Sequence, residues 1–139
     1  MILVVGACAS GKRTFVKELG YEPAQMARAT LDQRPVVLEA QELVARQVAE
    51  QAMRGEGVSA AQIAGDLAPS WEEELLAQLS AKACVTCCEV GSGLVPLDPE
   101  ARMVREVTGR LCLRLAAQAS AVVRMVCGIP TVLKGDPWK

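Results

Sequence analysis

The chain has 139 residues, a formal charge of −1 and no histidine, and it is 51% hydrophobic but only 3% aromatic. These values exclude histidine catalysis, histidine metal ligation and a histidine pH switch. They also exclude a global basic field that draws in nucleic acid and an aromatic platform for stacked bases. The length fits a single domain, residues 1–139, whose core is built from Ala, Val, Leu, Ile, Met and Cys.

In chain order, Ile2-Leu3-Val4-Val5 is a short apolar run ending at Gly6, and it reads as a buried parallel strand. Lys12 to Leu19 reads as a helix closed by Gly20. Pro35 precedes a second buried strand, Val36 to Glu39. Ala40 to Met53 sets Leu43, Val44, Val48 and Ala52 on one helical face, and Gly55 and Gly57 break it. Residues 54–69 read as loops around a short helix. Ser70-Trp71-Glu72-Glu73 has capping-box form and predicts a helix to about Ser80. Ala83 to Cys88 reads as a third strand and Gly91 to Pro96 as a turn-rich loop. Asp98-Pro99-Glu100 opens a long helix to about Ala119, with a capping Asp, a Pro and an acid in the first turn. Its apolar stripe is Val104, Val107, Leu111 and Leu115, and Glu106 with Arg110 forms a favourable i,i+4 pair. Ala121 to Cys127 reads as a fourth strand, Gly128 to Leu133 as a short final one, and Asp136 to Lys139 as a loose tail. Strands alternating with helices predict an α/β domain, with a mostly parallel sheet flanked by helices.

The six cysteines sit mostly inside apolar segments, where free cysteine behaves as a small hydrophobe. Cys84-x-x-Cys87-Cys88 lacks the further ligands that a zinc or iron–sulfur site needs. Met1 to Ala9 has no basic region of a secretory signal, and the apolar stretch Ala121 to Leu133 is interrupted by Arg124, Gly128 and Pro130. A reducing cytoplasm, without a membrane span, is the expected location.

Gly6-Ala7-Cys8-Ala9-Ser10-Gly11-Lys12 fits the phosphate-loop pattern G-x-x-x-x-G-K between a strand and a helix. Such glycines turn backbone N–H groups toward phosphate oxygens, and the helix N-terminus adds its dipole. Lys12 is placed to meet the β- and γ-phosphates of ATP or GTP. The next position is normally Ser or Thr, whose hydroxyl binds Mg²⁺. Here it is Arg13, which cannot ligate a metal but can pair with phosphate; Thr14 follows, turned by about 100°. Gly6 to Thr14 is therefore the candidate nucleotide cradle, and a strand-to-helix turn without ligand is the bland alternative. Cys8 within it is a candidate for oxidation. Glu39 and Glu89 each end a predicted strand, where open α/β sheets bind ligands, so Lys12, Glu39 and Glu89 are the candidate catalytic residues. Glu39 and Thr14 are the candidate Mg²⁺ ligands.

Glu89-Val90-Gly91-Ser92-Gly93-Leu94-Val95-Pro96 is followed by Arg102, Arg105-Glu106, Gly109-Arg110-Leu111, Leu115-Ala116-Ala117, Cys127-Gly128-Ile129-Pro130 and Leu133-Lys134. With Ile2 to Lys12, these segments resemble the bifunctional adenosylcobinamide kinase / adenosylcobinamide-phosphate guanylyltransferase family of cobalamin biosynthesis. The resemblance implies a P-loop NTPase-like fold and a homo-oligomer, usually a trimer. It implies γ-phosphoryl transfer to the aminopropanol hydroxyl of a cobinamide-type corrinoid, then GMP transfer through a guanylylated histidine. Lys12 carries over as the phosphate-binding lysine, Glu39 as the strand-end acid and Glu89 as the acid of the E-V-G block. Gly91, Gly93, Arg105 and Arg110 carry over as substrate or interface positions.

The departures matter as much. The family's histidine lies between the phosphate-loop helix and the second strand; here that interval, Tyr21 to Pro35, holds no His or Trp. The usual Asn before the E-V-G block is Cys88, a mid-helix Asn-Gln is Cys112-Leu113, and later acids are Ser120-Ala121. The expectation is a kinase-type protein without the guanylyl step; the alternative is a degenerate member that binds nucleotide or corrinoid without turnover.

Overall fold

The computed structural model describes residues 1–139. The strands are β1 (Ile2–Gly6), β2 (Met26–Arg28), β3 (Val36–Leu38), β4 (Cys84–Cys88), β5 (Ala121–Val126) and β6 (Ile129–Lys134). The helices are α1 (Lys12–Glu18), α2 (Ala40–Met53), α3 (Ala60–Ala64), α4 (Glu72–Ser80) and α5 (Pro99–Gln118). All six strands form one sheet in the order β2-β3-β4-β1-β5-β6. Every pair is parallel except β5 with β6. The chain is thus an α/β protein with a mostly parallel sheet, and the first strand is central.

Alternating side chains send β1 into two cores. Leu3 joins Val37, Val85, Cys87 and Val122 beneath α2, α4 and α5. Val4 joins Val36, Cys84, Val123 and Met125 beneath Phe15 and Val16 of α1. The register sets Gly6 level with Cys88 and Met125, so the carboxyl ends of β1, β4 and β5 meet at one edge. No helix is long and apolar enough to cross a membrane.

Five local expectations are corrected. β2 has no counterpart among the predicted strands, because it is three residues behind a 3₁₀ turn (Pro23–Gln25) and has no apolar run. Glu39 lies outside β3; it is the N-cap of α2 with left-handed backbone, φ 60° and ψ 53°. Ser70 does not cap α4. Trp71 is already helical there, the Glu72 N–H donates to the Pro69 carbonyl, and the Glu73 carboxylate is drawn away by Arg114 at 2.5 and 2.8 Å. In α5 the fully buried stripe runs through Met103 rather than Val104, with Val107, Leu111 and Leu115 as expected. The tail is anchored: Pro137 is buried, and Trp138 meets Phe15 edge-on with ring centroids 6.2 Å apart. Asp98 caps α5 as its sequence predicts, accepting from the Ala101 N–H at 2.8 Å.

Candidate functional site

The segment between β1 and α1 is a tight loop with positive φ at Ala9 and Gly11, 57° and 94°. Gly6 is sterically required at its entrance. A Cβ there would lie 2.6 Å from both the Met125 carbonyl oxygen and Ser10 Oγ. The β5–β6 turn supports the loop from behind, since the Gly128 N–H donates to the Ser10 carbonyl at 3.0 Å. Lys12 is buried, 8% exposed, and curls back into the loop. Its Nζ donates to the carbonyls of Gly6 (2.9 Å) and Ala7 (2.6 Å) and lies 3.7 Å from Cys88 Sγ. Ser10 Oγ is buried with no hydrogen-bond partner.

The loop and α1 form one wall of a cavity of about 460 Å³. Its lining includes Lys12, Arg13, Thr14, Arg28, Glu39 and Thr86. Arg13 and Thr14 are both exposed there. The left-handed turn at Glu39 is fixed by its backbone N–H, which donates to Thr86 Oγ1 at 2.9 Å. The Glu39 carboxylate accepts from Arg28 Nε at 2.5 Å, and Arg28 also reaches Glu42 at 3.3 Å. Burial pushes the Glu39 carboxyl up, but the hydrogen bond from Arg28, the adjoining Glu42 side chain and the charges of Arg28 and Lys12 outweigh it, so the net direction is downward. The cavity therefore presents an ionised carboxylate opposite a lysine ammonium.

A depressed carboxyl stabilises the fold above its unfolded value, near ~4.3, and that contribution is lost as pH falls through the folded value. Arg28→Ala is expected to raise the Glu39 value and shift the loss toward higher pH. Carbon-detected NMR titration of the Glu39 carboxyl reads this directly; an unmoved midpoint in the variant would show that Arg28 does not control it.

A second cavity, of about 690 Å³, lies on the α5 side of the sheet. Glu89, Gly91, Arg105, Arg110, Leu113 and Arg124 are among its lining residues. Arg124 holds the Glu89 carboxylate with two hydrogen bonds, 2.9 and 3.0 Å. Arg105 donates to the carbonyls of Gly91 (2.9 Å) and Leu94 (3.3 Å), tying the loop after β4 to α5. The Arg110 guanidinium is engaged by Glu72 at 2.8 and 3.3 Å and by Glu106 at 3.2 Å. Gly93 is exposed in the loop and lines neither cavity.

The candidate residues thus divide into two groups. Lys12, Arg13, Thr14 and Glu39 share the first cavity; Glu89, Gly91, Arg105 and Arg110 share the second. One backbone bond couples them, from the Glu89 N–H to the Gly6 carbonyl at 3.0 Å. Arg28, Thr86 and Arg124 were not singled out as site residues from sequence. Thr86 and Arg124 are polar residues inside otherwise apolar strands, which is a usable signal; Arg28 sits on the strand that left no pattern.

A sequence model described as cobinamide kinase / cobinamide phosphate guanyltransferase matches residues 24–133. The chain belongs to that family. Its members act in cobalamin biosynthesis and use nucleoside triphosphates, and the six-stranded, mostly parallel sheet is consistent with their P-loop NTPase-like fold. The match covers the E-V-G block, α5 and the final hairpin but begins after the phosphate loop. The reading of Gly6 to Thr14 therefore rests on the loop's own pattern and geometry. No protein of curated function matches the chain.

Proposed function

We propose that this cobinamide kinase / guanyltransferase family member is a cytoplasmic adenosylcobinamide kinase-type protein without the guanylyl step. The observation that carries the reading is the buried Lys12 at the wall of a cavity that also holds Glu39. In this reading Gly6 to Thr14 cradle the phosphates of ATP or GTP, and Lys12 leaves the Gly6 and Ala7 carbonyls to neutralise phosphate charge. The Pγ–O bond to the β-phosphate breaks and a bond from Pγ to the aminopropanol oxygen forms; ADP or GDP leaves and the hydroxyl proton passes to solvent. Such transfer depends mainly on positioning and charge neutralisation. Glu89, held by Arg124 beside the second cavity, is suited to the corrinoid side, where Gly91, Gly93, Arg105 and Arg110 form or support the contact surface.

Mg²⁺ fits the first cavity by donor chemistry. It takes hard oxygens and is bound by one or two protein groups plus phosphates and water; the Glu39 carboxylate and the Thr14 hydroxyl supply such oxygens. When bound with nucleotide it would offset charge on the β- and γ-phosphates. The absence of histidine from the chain removes the family's guanylylated residue.

The test is incubation with cobinamide, Mg²⁺ and γ-labelled ATP or GTP. Label on cobinamide supports the kinase reading, and no transfer from either nucleotide overturns it. A second reading, nucleotide or corrinoid binding without turnover, is favoured by Arg13 at the hydroxyl position. Arg13→Ser separates the two: activity arising from none supports the binding protein, whereas turnover by the unaltered chain rejects it. A homo-oligomer, which the resemblance implies as a trimer, is supported by the exposure of Leu94, Leu97, Leu113, Ile129 and Leu133, and light scattering on the purified chain tests it.

A further inference from the structure

We propose that Cys8 and Cys88 are a redox pair whose disulfide locks the phosphate loop shut. Cys8 sits in the loop and Cys88 ends β4, the strand level with Gly6 across the β1–β4 pair. Their sulfurs are 3.5 Å apart, so a bond of about 2.05 Å needs a closure of about 1.5 Å, within reach of a loop side chain. The consequence for nucleotide rests on the phosphate-loop reading above; formation of the bond does not.

The two thiols differ in access. Cys8 is exposed, whereas Cys88 is partly buried. Burial and the hydrogen bond with Cys8 push the Cys88 thiol up, against the pull of the Lys12 ammonium. Cys8 is therefore the entry thiol and Cys88 the resolving one. With a low-molecular-weight disulfide such as oxidised glutathione as oxidant, the Cys8 thiolate attacks one glutathione sulfur and displaces glutathione thiolate. The Cys88 thiolate then attacks Cys8 Sγ and displaces the second glutathione. Two electrons pass from the cysteine pair to the glutathione disulfide, and the two thiol protons end on the released glutathiones or in solvent. The other cysteines on the sheet are less available. Cys84 is buried, with its thiol pushed up to about 12, and Cys87 is buried beside Cys112, which holds its thiol well up.

The cross-link would act on Lys12. Its Nζ already lies on the Gly6 and Ala7 carbonyls and 3.7 Å from Cys88 Sγ. To meet a phosphate it must leave them, and the loop around it must rearrange. A bond from Cys8 to the end of β4 holds the loop in the retracted form.

The experiment treats the full chain with oxidised glutathione and maps the products by non-reducing peptide mass spectrometry. Expected is a Cys8–Cys88 cross-link, lighter by two hydrogens and reversed by dithiothreitol. Cys88→Ser should instead stop at a glutathione adduct on Cys8, and Cys8→Ser should give neither product. Calorimetry with ATP and GTP on reduced and oxidised chain should show affinity about tenfold or more weaker after oxidation. A cross-link joining Cys127 or Cys112, or none while Cys8 is glutathionylated, overturns the pair. Equal nucleotide affinity before and after a mapped Cys8–Cys88 bond overturns the locking role. If the reduced chain binds neither nucleotide, the phosphate-loop reading and the lock fall together, and the mapped bond alone decides the redox pair.

Discussion

Lys12→Met is expected to lower phosphoryl transfer to cobinamide about 100-fold or more, the scale seen when one charge-stabilising donor is removed from a reacting centre. Methionine keeps most of the aliphatic stem, which is buried, and removes the ammonium. The loss has two parts that separate cleanly. The Gly6 and Ala7 carbonyls lose the Lys12 donor at 2.9 and 2.6 Å but keep the Glu89 and Ser10 N–H groups, so the stability cost is about 1 kcal/mol. In the proposed reading the nucleotide loses the cation assigned to its phosphates, which lowers affinity and rate. Calorimetric titration with ATP and GTP reads the second part, and urea unfolding reads the first. A variant that binds and transfers as the unaltered chain does would remove Lys12 from the chemistry.

Arg110→Ala is expected to destabilise the fold by about 3 kcal/mol without weakening nucleotide binding by the folded fraction. Its partner Glu72 is 1% exposed, so truncation leaves a buried carboxylate without its ion-pair partner between α4 and α5, with only the charge of Arg114 still acting on it. The bond to Glu106, whose side chain is 39% exposed, adds little. The lower end of the usual range applies because the Arg110 side chain itself remains 21% exposed. The midpoint of urea unfolding measures the effect. Glu72→Met combined with Arg110→Leu should recover most of the loss, since both charges then leave together. If Arg110→Ala leaves stability unchanged and instead weakens corrinoid binding, the arginine belongs to substrate recognition rather than to the core.

The contrast between these two residues shows what the sequence made legible. Lys12 stands in a local pattern, with strand, glycines and helix all within a dozen residues, and it lines a cavity. The boundaries of α2 and α5 were equally readable, because caps, helix breakers and periodic apolar residues act over a few residues. Arg110 was legible only as half of a pair with Glu106 along one helix. Its stronger partner, Glu72, comes from a separate helix, and no spacing rule connects them. The same limit hid Arg124 with Glu89 and Arg28 with Glu39. β2 was hidden for another reason: three residues that pair with a single neighbour need no apolar run of their own. The capping-box form at Ser70 misled because the chain enters α4 through a helical Trp71, leaving no extended residue to act as cap.

The support of the loop by the last hairpin has a consequence for how the protein is made. Gly6 to Lys12 leave the ribosome well before Gly128, whose N–H holds the Ser10 carbonyl. β1 likewise waits for β4 and then β5 before both flanks are paired. Contacts of such long sequence separation form slowly. The loop between β1 and α1 is therefore braced late in synthesis. A nascent chain stalled before β5 would display β1 with one edge open and the loop unbraced, a form suited to chaperone capture rather than to ligand binding.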